Sequence, residues 1–362
     1  VIYGESGGQM GDRGTLCGSG FKMTVTDSKK LGDGKILHHV TVDEGTASVG
    51  DSVTVTYDVK KREATARNHS ATHLLQKALR EVLGSHIEQA GSMVDENRLR
   101  FDFSHFQAVT PEQLADVERR VNAAILAAYP IEIKQMPVDE AKKLGAMALF
   151  GEKYGDTVRV VNMGGYSIEL CGGCHLKNTS EAGLCKIVSE GGVAAGVRRI
   201  EAVTGEGVLK YIEEKNAIIA ESAAALKTTE GELVHRCENV MEELREQQRK
   251  IDVISEKIAH ASANNVMAGV KHIGGLEVFI TQMDGSTVDA MRKLGDAIKE
   301  RTQLCVCVFA ALTDGKITFM ATAGKDAVKK GVHCGKIIKE ITAIAGGSGG
   351  GKPDSAQGGG KN

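Results

Sequence analysis

The chain has 362 residues, 41% of them apolar and 25% charged, with a net charge of −2. That length allows two or three domains with cores of their own, and the near-neutral charge excludes a broadly basic nucleic-acid coat, so any RNA-binding charge has to be local. No apolar run approaches the ~18 residues of a membrane-spanning helix, and eight irregularly spaced cysteines fit a reducing cytoplasm with a metal site better than a disulfide framework.

Residues 1–60 read as β structure. Phe21–Asp27 and Asp51–Tyr57 alternate with a period of two and are separated by glycine-rich turns such as Gly32-Asp-Gly34. The start, Val1-Ile-Tyr-Gly4, has no Met, basic flank or apolar signal core, which leads to the expectation of an internal piece of a longer protein. Residues 62–205 mix helices and strands. Asn68 is expected to cap a helix whose apolar stripe runs through Leu74, Leu75, Ala78, Leu79, Val82 and Leu83 and ends at Gly84. A second amphipathic helix is expected from Pro111 to about Ala128, and strands over Thr157–Val161 and Cys185–Val188. Ser167-Ile-Glu-Leu-Cys171-Gly-Gly-Cys174-His175 reads as a strand entering a tight turn.

Residues 206–265 change character. Leu233, Cys237, Val240, Leu244, Gln247, Ile251, Ile254, Ile258 and Ala261 step by four and three, a heptad seam with one polar position. Ile212, Ile219, Ala223 and Leu226 mark a shorter helix before it, with Thr228–Gly231 as the turn of a helical hairpin. The seam can pair within the hairpin or with a second chain. From 269 onward the pattern is α/β: a strand over Leu276–Thr281, a helix capped by Ser286 and running to about Thr302, a buried strand over Leu304–Leu312, a hairpin turn at Asp314-Gly315 into Ile317–Thr322, and a last helix from Cys334 to Ala345. Cys305 and Cys307 alternate along an apolar strand and read as packing residues. The tail has eight glycines in residues 346–360, the composition of a flexible linker, interrupted by Lys352-Pro-Asp-Ser-Ala-Gln357. Residues 325–362 hold seven lysines against three acids, a solvated face or a local RNA-binding patch.

Two short clusters carry the chemistry. His69 and His73, four apart on a helix, share one face and can grip one ion; Cys171 and His175 can converge across the glycine turn. Three imidazoles and a thiolate are a typical ligand set for one zinc ion. The plain alternative is a pair of buried or solvated histidines beside a Cys-rich turn. Cys174 competes with Cys171 for the thiolate role, and Glu169 is near enough to orient a ligand histidine.

His69-Ser-Ala-Thr-His73-Leu-Leu, Gln89-Ala-Gly-Ser92, Leu99-Arg-Phe-Asp-Phe-Ser-His105, Glu169-Leu-Cys171-Gly-Gly-Cys174-His175 and Gly196-Val-Arg-Arg-Ile-Glu-Ala-Val-Thr204-Gly resemble the editing domain of the alanyl-tRNA synthetase family. Glu5-Ser-Gly-Gly-Gln-Met-Gly-Asp-Arg-Gly14 resembles the loop that begins that domain, and the glycine-rich tail resembles the end of the family's C-terminal domain. The resemblance implies an α+β chain: an editing domain with a β-rich start over 1–205, a helical coiled-coil linker over 206–268, and a small α/β tRNA-binding or dimerisation domain over 269–362. It implies zinc-dependent hydrolysis of mischarged Ser-tRNA(Ala) and Gly-tRNA(Ala). A pocket that accepts alanine discriminates a single small group by only ~1–3 kcal/mol, so a second, hydrolytic sieve is needed. Thr72 is implied as the contact to the serine hydroxyl, with Gln89, Ser92 and Arg198 as further pocket residues.

Cytoplasmic tRNA(Ala) is the implied partner, with a homodimer through the C-terminal half and no membrane. No ligase activity is expected, because nothing here resembles an aminoacylation core. A free-standing trans-editing deacylase and a non-catalytic RNA-binding module with structural zinc remain the alternatives. Neither glycine-rich segment has the P-loop pattern, and no Asp-His-His motif supports a phosphoesterase. One departure stands out: the family usually has Thr where this chain has Cys174.

Overall fold

The computed structural model describes residues 2–32, 34–147, 155–313 and 315–361. Asp33 of the Gly32–Gly34 turn and Asp314 of the Asp314-Gly315 turn lie outside the described residues. The chain is α+β and divides into two compact units, Val1–Glu221 and Ser222–Asn362.

The first unit opens with β1 (Gly14–Gly18), β2 (Phe21–Lys30), β3 (Ile36–Gly45) and β4 (Thr54–Tyr57), an antiparallel sheet in the order β3-β2-β1-β4. Phe21 and Val25 of β2 point inward with period two. A bulge between Val25 and Asp27 then shifts the phase, so Ser28 is the next buried residue. After α1 (Val59–Leu83) come β5 (Gln89–Val94), β6 (Leu99–Ser104), α2 (Pro111–Leu126), β7 (Ile131–Pro137), α3 (Val138–Lys143), β8 (Thr157–Met163), β9 (Ser167–Leu170), β10 (Cys185–Ala194), β11 (Val197–Thr204) and α4 (Glu206–Ala225). Strands β10-β11-β6-β5 form one antiparallel sheet and β7-β8-β9 another. The core lies where α1 and α2 cover the first of these. Leu74, Leu75, Ala78 and Leu79 of α1 pack with Leu99, Phe101 and Phe103 of β6 and Ile200 and Ala202 of β11.

The expected start of α1 at Asn68 is wrong. Asp58 caps the helix, its Oδ1 accepting from Lys61 N at 3.1 Å, and Gly84 at φ 116° ends it as expected. The first turns, Val59-Lys-Lys-Arg-Glu-Ala-Thr-Ala, are mostly good helix formers, Val59 and Thr65 apart, but lack an apolar stripe, so periodicity hides them. Asn68 is instead a buried clamp inside the helix: Nδ2 donates to Asp95 O at 2.9 Å and Oδ1 accepts from Thr204 Oγ1 at 2.6 Å. Asn68→Ala is expected to cost about 1–3 kcal/mol for each partner left without its bond, read as a lower midpoint in chemical denaturation; a change under ~0.5 kcal/mol would remove the clamp.

In the second unit α5 (Leu233–Met267) precedes β12 (Lys271–Ile273), β13 (Leu276–Gln282), α6 (Val288–Lys299), β14 (Cys305–Thr313), β15 (Lys316–Ala323), α7 (Lys325–Lys329), α8 (Cys334–Ile344), β16 (Ser348–Gly351) and β17 (Ser355–Gly360). The sheet order is β12-β13-β14-β15-β17-β16; β13 and β14 run parallel and the other pairs antiparallel. Strand β14 is buried on both faces, which is why it reads as an unbroken apolar run. Cys305, Cys307 and Phe309 pack with Met291, Leu294 and Ile298 of α6, while Val306 packs with Ile338 of α8. Thr287, not Ser286, caps α6, accepting from Ala290 N at 3.2 Å, and the helix ends at Lys299, short of Thr302. On α5, the seam residues Leu244, Ile251, Ile254 and Ile258 are exposed.

The tail is not a linker. Its glycines form β16 and β17, and α8 lies close over them. A Cβ on Gly349 would come within 2.6 Å of Ile338 Cγ2, and one on Gly358 within 2.6 Å of Thr342 Cγ2. Glycine is required there for close helix–sheet approach, not for flexibility.

Candidate metal centre

Among the described residues, His69, His73, Cys171 and His175 bring one potential ligand atom each within 4.8 Å of one another. Helix α1 supplies the first two from its middle, not from its first turns. The glycine turn after β9 supplies the others. Cys171 Sγ lies 3.4 Å from His69 Nε2 and 3.3 Å from His175 Nε2, and the three imidazole centroids are 4.4–5.3 Å apart. The turn is held by Arg159, whose Nη1 donates to Cys171 O at 2.6 Å and whose carbonyl accepts from Cys171 N at 3.1 Å. Gly173 N adds a 3.4 Å contact to the Cys171 sulfur.

Each ring has a second partner on its far nitrogen. His73 Nδ1 lies 2.7 Å from Glu169 Oε2, and Ser167 Oγ donates to Glu169 Oε1 at 2.8 Å. Serine and glutamate are two apart on β9 and share its inward face, so the strand aims the carboxylate at α1. His175 Nδ1 lies 3.2 Å from Ser70 Oγ, which also accepts from Leu176 N at 3.2 Å. His69 Nδ1 lies 2.8 Å from Gln9 Oε1. Ser70 and Gln9 lie inside segments that resemble the family, but the sequence gives neither a role. Ser70 adjoins a ligand without a motif of its own, and Gln9 reaches His69 from 60 residues away.

The electrostatics follow from this packing. Burial alone pushes the Cys171 thiol up, but the three surrounding imidazoles outweigh it and hold it far below the usual thiol range. Burial would lower His73, yet Glu169 and Cys171 raise it to about 10. His175 is lowered to about 3, by burial first and then by His69. Burial raises the Cys174 thiol; its backbone N–H, at 2.7 Å from Gln9 Oε1, is the group that joins the site. A thiolate ringed by imidazoles whose outer nitrogens are engaged is the donor set and outer shell that zinc favours.

Residues 158–201 match the threonyl and alanyl tRNA synthetase second additional domain, 275–362 the DHHA1 domain, and 1–61 the class II (A) tRNA synthetases. An alanine–tRNA ligase from Acetivibrio thermocellus is 49% identical over 360 residues, covering 99% of this chain and 41% of that protein. The chain is homologous to alanyl-tRNA synthetases throughout its length. The corresponding ligase of Alkaliphilus oremlandii is 46% identical over 362 residues, again 41% of its length, so the chain spans about two fifths of these relatives. Among solved structures, the C-Ala domain from Aquifex aeolicus alanyl-tRNA synthetase matches 25% of this chain and 82% of that one, at 28% identity and a TM-score of 0.24.

The pocket residues suggested by resemblance to alanyl-tRNA synthetases fall in two places. Thr72 is buried between the two ligand histidines, and its hydroxyl donates to Asn68 O at 2.8 Å. Gln89 and Ser92 sit on β5, joined by a 3.2 Å bond from Gln89 Nε2 to Ser92 Oγ. Arg198 on β11 makes a two-pronged pair with Glu190, at 2.6 and 2.8 Å. Gln89 and Arg198 both lie in register with Phe103 of β6, so they flank one strand on the same face. None of Gln89, Ser92 and Arg198 is hydrogen-bonded to the four-residue cluster.

Proposed function

We propose that the first unit is the hydrolytic editing site of a cytoplasmic alanyl-tRNA synthetase, removing serine and glycine from mischarged tRNA(Ala) with one zinc ion held by His69, His73, Cys171 and His175. The observation that carries this reading is the convergence of those four side chains with Gln9, Glu169 and Ser70 behind the three rings. His69, His73, Cys171 and His175 would hold the ion, and with all four donors engaged it would shape the pocket as a structural ion and would not bind a reacting group. Thr72 reads the substrate. Its proton is committed to Asn68 O, so its oxygen is left as an acceptor for the serine hydroxyl. Glu169 orients His73 and, with both oxygens engaged, does not serve as the base. Arg198, neutralised by Glu190 beside it, offers directed N–H groups in place of a bare charge.

The test is deacylation of Ser-tRNA(Ala) by the 362-residue chain, with Ala-tRNA(Ala) as control. Selective loss of the seryl ester is the expected result. The closed ligand set favours one second reading, an RNA-binding module with structural zinc, which would leave the ester at its spontaneous rate. Thr72→Val keeps shape and removes the acceptor. A neutral hydrogen bond is worth about 0.5–1.5 kcal/mol net, so a several-fold slower seryl-tRNA hydrolysis is expected. Unchanged rates on both esters would take Thr72 out of recognition.

A further inference from the structure

The segment that opens the chain reaches the metal centre from outside both ligand clusters. It is clipped to β2 by Glu5 N donating to Ser28 O at 2.7 Å. Met10 N to Val94 O at 3.0 Å and Val94 N to Gly8 O at 2.8 Å clip it to β5. Asp12 anchors its far end, accepting from Tyr3 N at 2.6 Å and from Arg62 Nε at 2.9 Å. Gly7 and Gly8, at φ +58° and +81°, make the turn that sends Gln9 inward, where it is 1% exposed.

The orientation of the Gln9 amide follows from what faces it. Cys174 N lies 2.7 Å from Oε1, and a backbone N–H only donates, so the atom it meets is the carbonyl oxygen. The same oxygen faces His69 Nδ1 at 2.8 Å. An acceptor there requires the proton on Nδ1, so that in the neutral ring Nε2, on the Cys171 side, is the nitrogen free to ligate an ion. Gly173 makes the meeting sterically possible, since a Cβ at that position would fall on the His69 ring and 2.8 Å from Gln9 Oε1. Gln9 Nε2, by contrast, is buried without a hydrogen-bond acceptor among the described residues.

We propose that Gln9 is a positioning residue of the metal centre: its carbonyl oxygen locks His69 in the Nδ1–H tautomer and ties the Cys171–His175 turn to the opening loop. The inference rests on the metal-centre reading above. Loop and ligand set then assemble as one unit, and the ion's grip depends on a segment that contributes no ligand.

Zinc binding by the full 362-residue chain, measured against a competing chelator and by the absorption spectrum of the cobalt-substituted protein, tests it. The parent is measured first; failure to bind about one zinc per chain overturns the metal-centre reading itself and this inference with it. With that in hand, Gln9→Met, which keeps length but removes the acceptor, is expected to weaken zinc about 10–100-fold and alter the cobalt bands. Gln9→Glu, which keeps an oxygen toward both donors, is expected to bind within a few-fold of the parent. A Gln9→Met protein that binds like the parent with unchanged cobalt bands overturns the inference alone, as does a Gln9→Glu protein no better than Gln9→Met. Nitrogen-15 NMR of the zinc-loaded parent needs no variant. It is expected to find His69 protonated at Nδ1 and metal-bound at Nε2; the opposite tautomer also overturns the proposal.

Discussion

Cys171→Ala is expected to strip the chain of stoichiometric zinc, while Cys174→Ala keeps it. Cys171 is the sulfur at the middle of the imidazoles, 3.3–3.4 Å from two of them, and it is already held as a thiolate. Cys174 has a thiol that burial keeps protonated and touches the site through its backbone. A structural zinc site contributes roughly 10–16 kcal/mol in all, so one ligand of four stands for about 3–4 kcal/mol, a few hundredfold in affinity. An ion held by the folded site more tightly than by the unfolded chain would stabilise the fold, so its loss is also expected to lower the melting temperature. At a zinc concentration about a thousand times Kd, bound metal adds about 4 kcal/mol of stability. Elemental analysis and thermal melts with and without chelator read both effects. Zinc retained in Cys171→Ala and lost in Cys174→Ala would reverse the assignment of the thiolate.

The legibility of this site follows the range of the contacts. His69 and His73 share a helix turn, and Cys171 and His175 share a glycine turn, so each pair is visible in local spacing. The start of α1 was not, because Lys60, Lys61, Arg62 and Glu63 favour helix without burying a stripe; a polar helical turn has no periodic signature. The capping chemistry was misplaced for the same reason. Asn68 has the right side chain for a cap, but its partners, Asp95 and Thr204, are 27 and 136 residues away. The glycine tail misled in the other direction. Glycine is depleted in strands, so β16 and β17 carry no strand propensity; what makes them strands is the ladder to β15 and the close approach of α8. Gln9 is the extreme case. Its bonds to His69 and Cys174 span 60 and 165 residues, and the glycine-rich segment around it marks a loop without giving the glutamine a partner.

The remaining large effect is on pH. Zinc affinity is expected to climb about tenfold per pH unit between about pH 6.5 and 8.5, through one proton on His73. In the metal-free chain that imidazole sits beside the Glu169 carboxylate, 2.7 Å away, and near the Cys171 thiolate. Burial works against its charge, but the two anions prevail and lift it to about 10. A group with a raised pKa holds its proton at every pH below that value, so at neutrality His73 is charged, and zinc must displace the proton to use the nitrogen. Cys171 releases none, because its neighbours already hold it as a thiolate, and His175, lowered to about 3, is neutral throughout this range. The sign is therefore fixed: acid favours the metal-free chain and base favours loading. Glu169→Gln removes the carboxylate while keeping the shape, so His73 gives up its proton at lower pH and the slope flattens toward the alkaline end of the range. Competition titrations against a chelator of known proton dependence measure both curves. A parent whose affinity does not change with pH would mean that His73 is not the protonated ligand, and the pairing with Glu169 would then serve only to orient the ring.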